Sequence, residues 1–167
     1  RKNDYWAEGE KEVLGEWIGE GAKALGLVGA VTDVPFDALR QNRHPKTGEA
    51  LTARDHANRV AFFDVQLSAP KDVSVLAMVG GDDRIRDAFI ESVKTALAEM
   101  ERFSAVRERR GEAASTEAYR LTRNFVGALF FHDSSRDLDP QLHGHAVLAN
   151  ATWDATRNEW LALQPVE

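Results

Sequence analysis

The chain has 167 residues, 43% of them hydrophobic, and a formal net charge of −6. That is enough apolar material for one sizeable core, most simply a single domain over residues 1–167, while the acidic balance argues against a general nucleic-acid coat without excluding a local basic groove. The absence of cysteine excludes disulfides and thiolate metal sites and fits a reducing cytoplasm. No apolar run approaches a membrane span and no signal peptide is visible, so a cytoplasmic location without membrane insertion is expected. The chain begins at Arg1 without methionine and stops at Glu167 just after a strand-like segment, and is therefore expected to be a fragment of a longer protein.

In chain order, Gly19 to Leu27 reads as a short helix ended by Gly26, and Asp33 to Gln41 as another, with Pro35 in its tolerant first turn. Val60 to Leu67 (VAFFDVQL) is a strand. Ala69 to Val79 reads as a helix with Ser68 as cap and Pro70 in the first turn. The longest helix is expected from Asp82 to about Arg107, where Ile85, Phe89, Val93, Leu97 and Met100 recur at three- and four-residue steps as a core-facing stripe. After a loop at Gly111 to Ser115 come strands near Tyr119, at Asn124–His132, at His143–Asn150 and at Glu159–Leu163, the last two forming a hairpin through Asp154–Asn158. The expected architecture is α/β (α+β), a two-layer sandwich whose central, largely antiparallel sheet is flanked by helices.

The run FFHDSSRDLDPQLHGHAVLAN carries the chemistry. His143 and His145 have the spacing of one strand face, and His132 shares a face of the preceding strand with Phe130, Ala128 and Val126. If the two strands are neighbours, one register brings all three rings together. An H-x-H pair alone is a weak motif; the third histidine, in phase at the end of an apolar strand, makes the set a candidate metal site with coordination positions left for a substrate. Three neutral nitrogens suit zinc, manganese, iron, nickel or copper, and magnesium only if phosphate oxygens and water complete its shell. His44 and His56 lie in a polar stretch and are read as solvated.

Asp64 stands in the middle of the strand VAFFDVQL, where a carboxylate is costly without a partner. It can hold a ligand histidine through the second ring nitrogen or take a proton from a nucleophile. The arginines at 102, 107, 109, 110, 120 and 123 gather in one stretch, most of them read as a solvated helix end and loop.

These residues resemble a known family. The histidine block with its PQLHGH core, FDVQLSAPKDVS upstream, EWIGEGAKALGL near the start, Gly80-Gly81 and NEWLAL near the end are similar to the relaxase domain of TrwC/TraI-type (MobF) conjugative relaxases, in the HUH endonuclease superfamily with its RRM-like palm. The resemblance runs through almost the whole chain. It implies that His132, His143 and His145 bind one divalent metal ion, magnesium or manganese, with zinc or nickel as alternatives. It implies that Asp64 orients a ligand histidine and helps to deprotonate an attacking tyrosine. The implied reaction is nicking and rejoining of single-stranded DNA at an origin of transfer through a 5′-phosphotyrosine, which initiates conjugative plasmid transfer. Relaxosome accessory proteins and a coupling protein are the implied partners, and a monomer the implied state.

The chain departs from the family pattern in its tyrosines. Tyr5, in DYWAEG, resembles the second of two N-terminal tyrosine clusters, with Trp6 where a second tyrosine often stands; the first cluster is absent. Tyr5 is thus the candidate nucleophile and Tyr119 a structural residue. The domain is expected to lack its extreme N-terminus and the C-terminal part that clamps DNA. Lys71, in SAPKDVS beside a helix N-terminus, and Arg123 are the candidate DNA contacts, although Asp72 stands where serine is common in the family. Trp153 and Trp160 can stack bases, but hairpin packing is their simpler role. Two other classes compete: a non-cleaving DNA-binding or replication-initiator module on the same fold, and an unrelated three-histidine metalloenzyme such as a cupin-like oxygenase. Against the second, Ala149 and Asn150 stand where its glutamate would follow the H-x-H.

Overall fold

In a computed structural model of the chain, residues 15–53, 58–108, 118–135 and 139–164 are described. The centre is an antiparallel pair, β5 (Gly127–Ser134) and β6 (Pro140–Ala149). β1 (Glu16–Ile18) pairs with β5 and β2 (Phe62–Ser68) with β6, so the four-stranded sheet runs β1-β5-β6-β2 and is antiparallel throughout.

Side chains alternate across this sheet, and each face has its own core. On one face Phe125, Leu129, Ala146 and Leu148 pack under α4 (Asp83–Glu101) through Val93 and Leu97. Beside them Leu142 and Ala69 pack under α3 (Lys71–Met78) through Ala77. Ser74 ties that helix down: its hydroxyl donates to the Pro70 carbonyl at 3.1 Å and accepts from the Leu142 amide at 3.1 Å. On the opposite face Trp17, Val126, Ala128, Phe130, Val147 and Ala149 meet α1 (Glu20–Ala24) and α2 (Asp33–Arg40) through Ala22, Phe36 and Leu39. Phe36 stacks on Phe62 with centroids 4.9 Å apart and meets Phe130 edge-on at 6.1 Å.

Several elements differ from the sequence reading. The long helix stops at Glu101, and β3 (Ala105–Glu108) follows, paired with β4 (Ala118–Leu121). Ala105 and Val106 are buried there, a gain the helical continuation would forgo. Ser68 is not a helix cap but the last residue of β2, opposite His143; Pro70 holds the cap position. The terminal hairpin is formed by β7 (Thr152–Asp154) and β8 (Glu159–Leu161), not by the histidine strand, which is already paired on both sides. β1, three residues long, carries no periodicity that a sequence could reveal.

Candidate metal centre

The ladder between β5 and β6 sets His132 directly opposite His143 and Phe130 opposite His145. Residues directly opposite in an antiparallel pair share a face, so the three rings collect at one end of the sheet, past the part covered by α1 and α2. Ring centroids are 5.2 Å apart for His132 and His143, 5.5 Å for His132 and His145, and 5.3 Å for His143 and His145. The register shifts immediately after His132, a bulge of the kind that re-aims side chains at strand ends.

The outer ring nitrogens are already committed. Nδ1 of His143 stands 2.9 Å from the Gln141 carbonyl, and Nδ1 of His145 lies 2.9 and 3.0 Å from the two Asp64 carboxylate oxygens. A carbonyl or carboxylate only accepts, so both Nδ1 atoms donate, and in a neutral ring that makes Nε2 the nitrogen able to bind a ligand. His143 and His145 are 9% and 8% exposed. His132 has its Nε2 shielded from solvent, and its pKa is pushed below the usual histidine value, first by burial and then by the two neighbouring rings. Its neutral, ligating form is thereby favoured. The donor set, three imidazoles with two tautomers fixed, fits a divalent transition or transition-like metal. Among the described residues no three His, Asp or Glu side chains are placed to hold an ion as they stand; the rings would have to rotate to converge on one.

Gly144, between the two histidines, points to the other face, where an added Cβ would stand 3.2 Å from Phe131 Cε1 and 3.4 Å from Leu129 Cδ1. The H-G-H spacing thus lets the core under α4 close tightly beneath the site.

Other expected site residues are distributed unevenly. Lys71 opens α3 at the histidine end of the sheet, half-exposed and 3.6 Å from Asp139 Oδ2. Arg123 lies at the far end of β5, exposed, with φ +57. Arg120, from the basic stretch, is structural: it forms ion pairs with buried Asp154 and, at 2.6 Å, with Glu108. His44 accepts amides from Lys46 and Thr47 in a turn. Trp153 and Trp160 are cross-strand partners in an edge-on pair at 5.5 Å. Tyr5, His56, Arg109 and Arg110 lie outside the described residues. The Gln141 carbonyl was missed by the sequence reading, since a backbone acceptor carries no residue-type signal.

Sheet order, flanking helices and an acid-supported histidine trio together define the HUH class of fold. Comparison with known proteins narrows this: a family model described as TrwC relaxase matches residues 1–167, and the chain belongs to the TrwC relaxase family. The multifunctional conjugation protein TraI of Escherichia coli (strain K12) is 40% identical over 164 residues, covering 97% of this chain and 9% of TraI. Among solved structures, the conjugative relaxase TrwC in complex with OriT DNA is similar in its metal-bound form, with TM-score 0.81 and 31% identity over 96% of this chain and 56% of that one. A TrwC complex with a 27-mer DNA comprising the recognition hairpin and the cleavage site has TM-score 0.77 and 33% identity, covering 90% and 53%. The chain thus spans about a tenth of the curated relative and just over half of the solved chains. Among the described residues, no helix is long and apolar enough to cross a membrane.

Proposed function

We propose that the chain is the relaxase unit, over residues 1–167, of a protein that nicks and rejoins one strand of DNA at an origin of transfer, with a divalent metal and a tyrosine, to begin conjugative plasmid transfer. The observation that carries this reading is the trio His132, His143 and His145 with Asp64 on Nδ1 of His145, on a chain of this family. It is supported by metal-bound and DNA-bound relatives. Magnesium or manganese is the proposed ion, zinc or nickel the substitutes.

The bound ion would polarise the scissile phosphodiester and offset the charge that builds on its oxygens. The protein's part is positional. Asp64 and the Gln141 carbonyl hold two rings with Nε2 presented, and burial keeps His132 neutral. Tyr5 is the proposed nucleophile: its oxygen bonds to phosphorus, the bond to the 3′-oxygen breaks, and that oxygen leaves as a hydroxyl. A phenol with pKa near 10 needs a base or nearby positive charge, for which Asp64 is the proposed acceptor. Because the phosphotyrosine conserves the phosphodiester, a 3′-hydroxyl can reverse the step. Lys71 at the start of α3, and Arg123 farther off, are proposed backbone contacts. Relaxosome accessory proteins, a coupling protein, a monomeric state and cytoplasmic action belong to the same reading.

The test uses the full-length protein with Mn²⁺ and single-stranded oligonucleotides tiling its plasmid's transfer origin, resolved on a denaturing gel. A protease-sensitive shifted band, lost in His143→Ala and in Tyr5→Phe, is the expected result. An adduct that survives Tyr5→Phe moves the nucleophile elsewhere. Metal and DNA binding with no adduct would establish the non-cleaving module instead.

A further inference from the structure

Among the described residues β2 is an edge strand, and its register against β6 carries a relation beyond Asp64. Gln66 is directly opposite His145, and Ser68 directly opposite His143. Directly opposed residues share a face, with Cβ atoms about 4.5–5.5 Å apart. Asp64, Gln66 and Ser68 therefore form one exposed polar row running alongside the histidines. That Asp64 reaches Nδ1 of His145 at 2.9 Å shows that this row and the rings stand on the same side.

The chemistry of the row is selective. Gln66 Nε2 donates to Ser68 Oγ at 3.4 Å, which leaves the second amide hydrogen and the serine hydroxyl as outward donors. Neither group is charged, and both follow, along the strand, a carboxylate that is 56% exposed. A DNA phosphate laid here would be repelled by Asp64 and needs donors close by. An edge strand made only for folding has no need of two outward donors in register with two histidines.

We propose that Gln66 and Ser68 hold, by hydrogen bonds, a DNA backbone phosphate neighbouring the one placed at the histidines, and so fix the register of the strand across the site. The inference rests on the relaxase reading above. Its role is positioning: the pair touches the substrate's backbone, not the reacting atoms, and leaves the metal alone. Two hydrogen bonds to a charged acceptor predict that Gln66→Ala/Ser68→Ala weakens DNA binding by at least about tenfold.

The experiment measures binding of the full-length protein, with Mn²⁺, to fluorescent single-stranded origin oligonucleotides, in parallel with Mn²⁺ affinity by calorimetry. A second oligonucleotide set carries one neutral methylphosphonate linkage at a time around the nick. The expected result is unchanged Mn²⁺ affinity, DNA affinity down at least about tenfold in the double variant, and one linkage within two of the nick whose neutralisation harms the native protein but not the variant. Equal DNA binding by native and variant proteins would overturn the inference and leave the relaxase reading standing. So would a loss with no phosphate-specific coupling. If the native protein binds none of the origin oligonucleotides, the relaxase reading itself fails and the inference with it.

Discussion

Removing the Asp64 carboxylate tests the candidate centre at its best-defined contact. Both of its oxygens lie within 3.0 Å of Nδ1 of His145, a ring only 8% exposed. The bond fixes the tautomer, orients the ring and makes Nε2 a stronger donor. Loss of such a partner behind a ligand histidine typically costs about 10–100-fold in metal affinity, or about 1.4–2.8 kcal/mol. Because the carboxylate is 56% exposed, water can partly replace it, which favours the lower end, near tenfold for Asp64→Ala. Asp64→Asn keeps an acceptor oxygen and loses only the charge, so a smaller loss of a few-fold is expected. Titration calorimetry with Mn²⁺ at neutral pH measures both, with Leu76→Ala on the exposed face of α3 as the reference substitution. If Asp64→Ala binds Mn²⁺ as tightly as the native protein, the carboxylate does not tune this ring. If His143→Ala also leaves affinity unchanged, the metal centre is elsewhere.

Arg120→Ala should destabilise the fold by about 2–3 kcal/mol in urea unfolding, because it leaves the Asp154 carboxylate, whose side chain is 2% exposed, with only the Thr156 amide and the more distant Arg157. Arg120 holds the Asp154 pKa below its ordinary 3.8, so the stability this pair contributes is full above that value and is lost as pH falls through the depressed one. Glu101 shows the opposite sign: burial raises its pKa above 4.5, although its Oε1 accepts the Glu20 and Phe125 amides at 2.7 and 2.9 Å. Its contribution is therefore present at low pH and falls as pH rises through the raised value, and Glu101→Gln, which keeps the acceptor, should gain on the native protein as pH rises above 4.5 in denaturant melts. Gly144→Ala should cost about 1–3 kcal/mol in the same assay by pressing on Phe131 and Leu129, and a neutral result would mean that the layer under α4 yields freely.

The candidate site was legible because its signals are local. The period-two spacing of His143 and His145, and the phase of His132 with Phe130, fix a face before any fold is known, and the observed ladder joins them as expected. The helix stripe from Ile85 to Met100 was legible for the same reason, and its residues do line the core. What was hidden depends on partners distant in sequence. Val106 is buried because β4 pairs with β3, so the apolar run after Glu101 looked like more helix. Ser68 looked like a cap because serine before a proline-led helix usually is one, yet the strand opposite claims it. The terminal hairpin was placed at the right turn but with the wrong first strand, because short Thr152–Asp154 has too few residues to show alternation.

One strand pair meets two conflicting demands along a single face. Near Val147 and Ala149 that face must be covered, and α1 and α2 cover it with Trp17, Phe36 and Leu39. Toward His143 the same face gives up its apolar side chains for the three histidines, although His143 and His145 are themselves only 9% and 8% exposed. Phe130 marks the border: it packs against Phe36 on one side and is opposite His145 on the other. Its apolar bulk dries the inner edge of the histidine cluster, in keeping with the burial that depresses the His132 pKa, while the outer edge passes to the exposed row Asp64, Gln66 and Ser68 on β2. Apolar wall, ligands and polar edge thus follow one another across three adjacent strands.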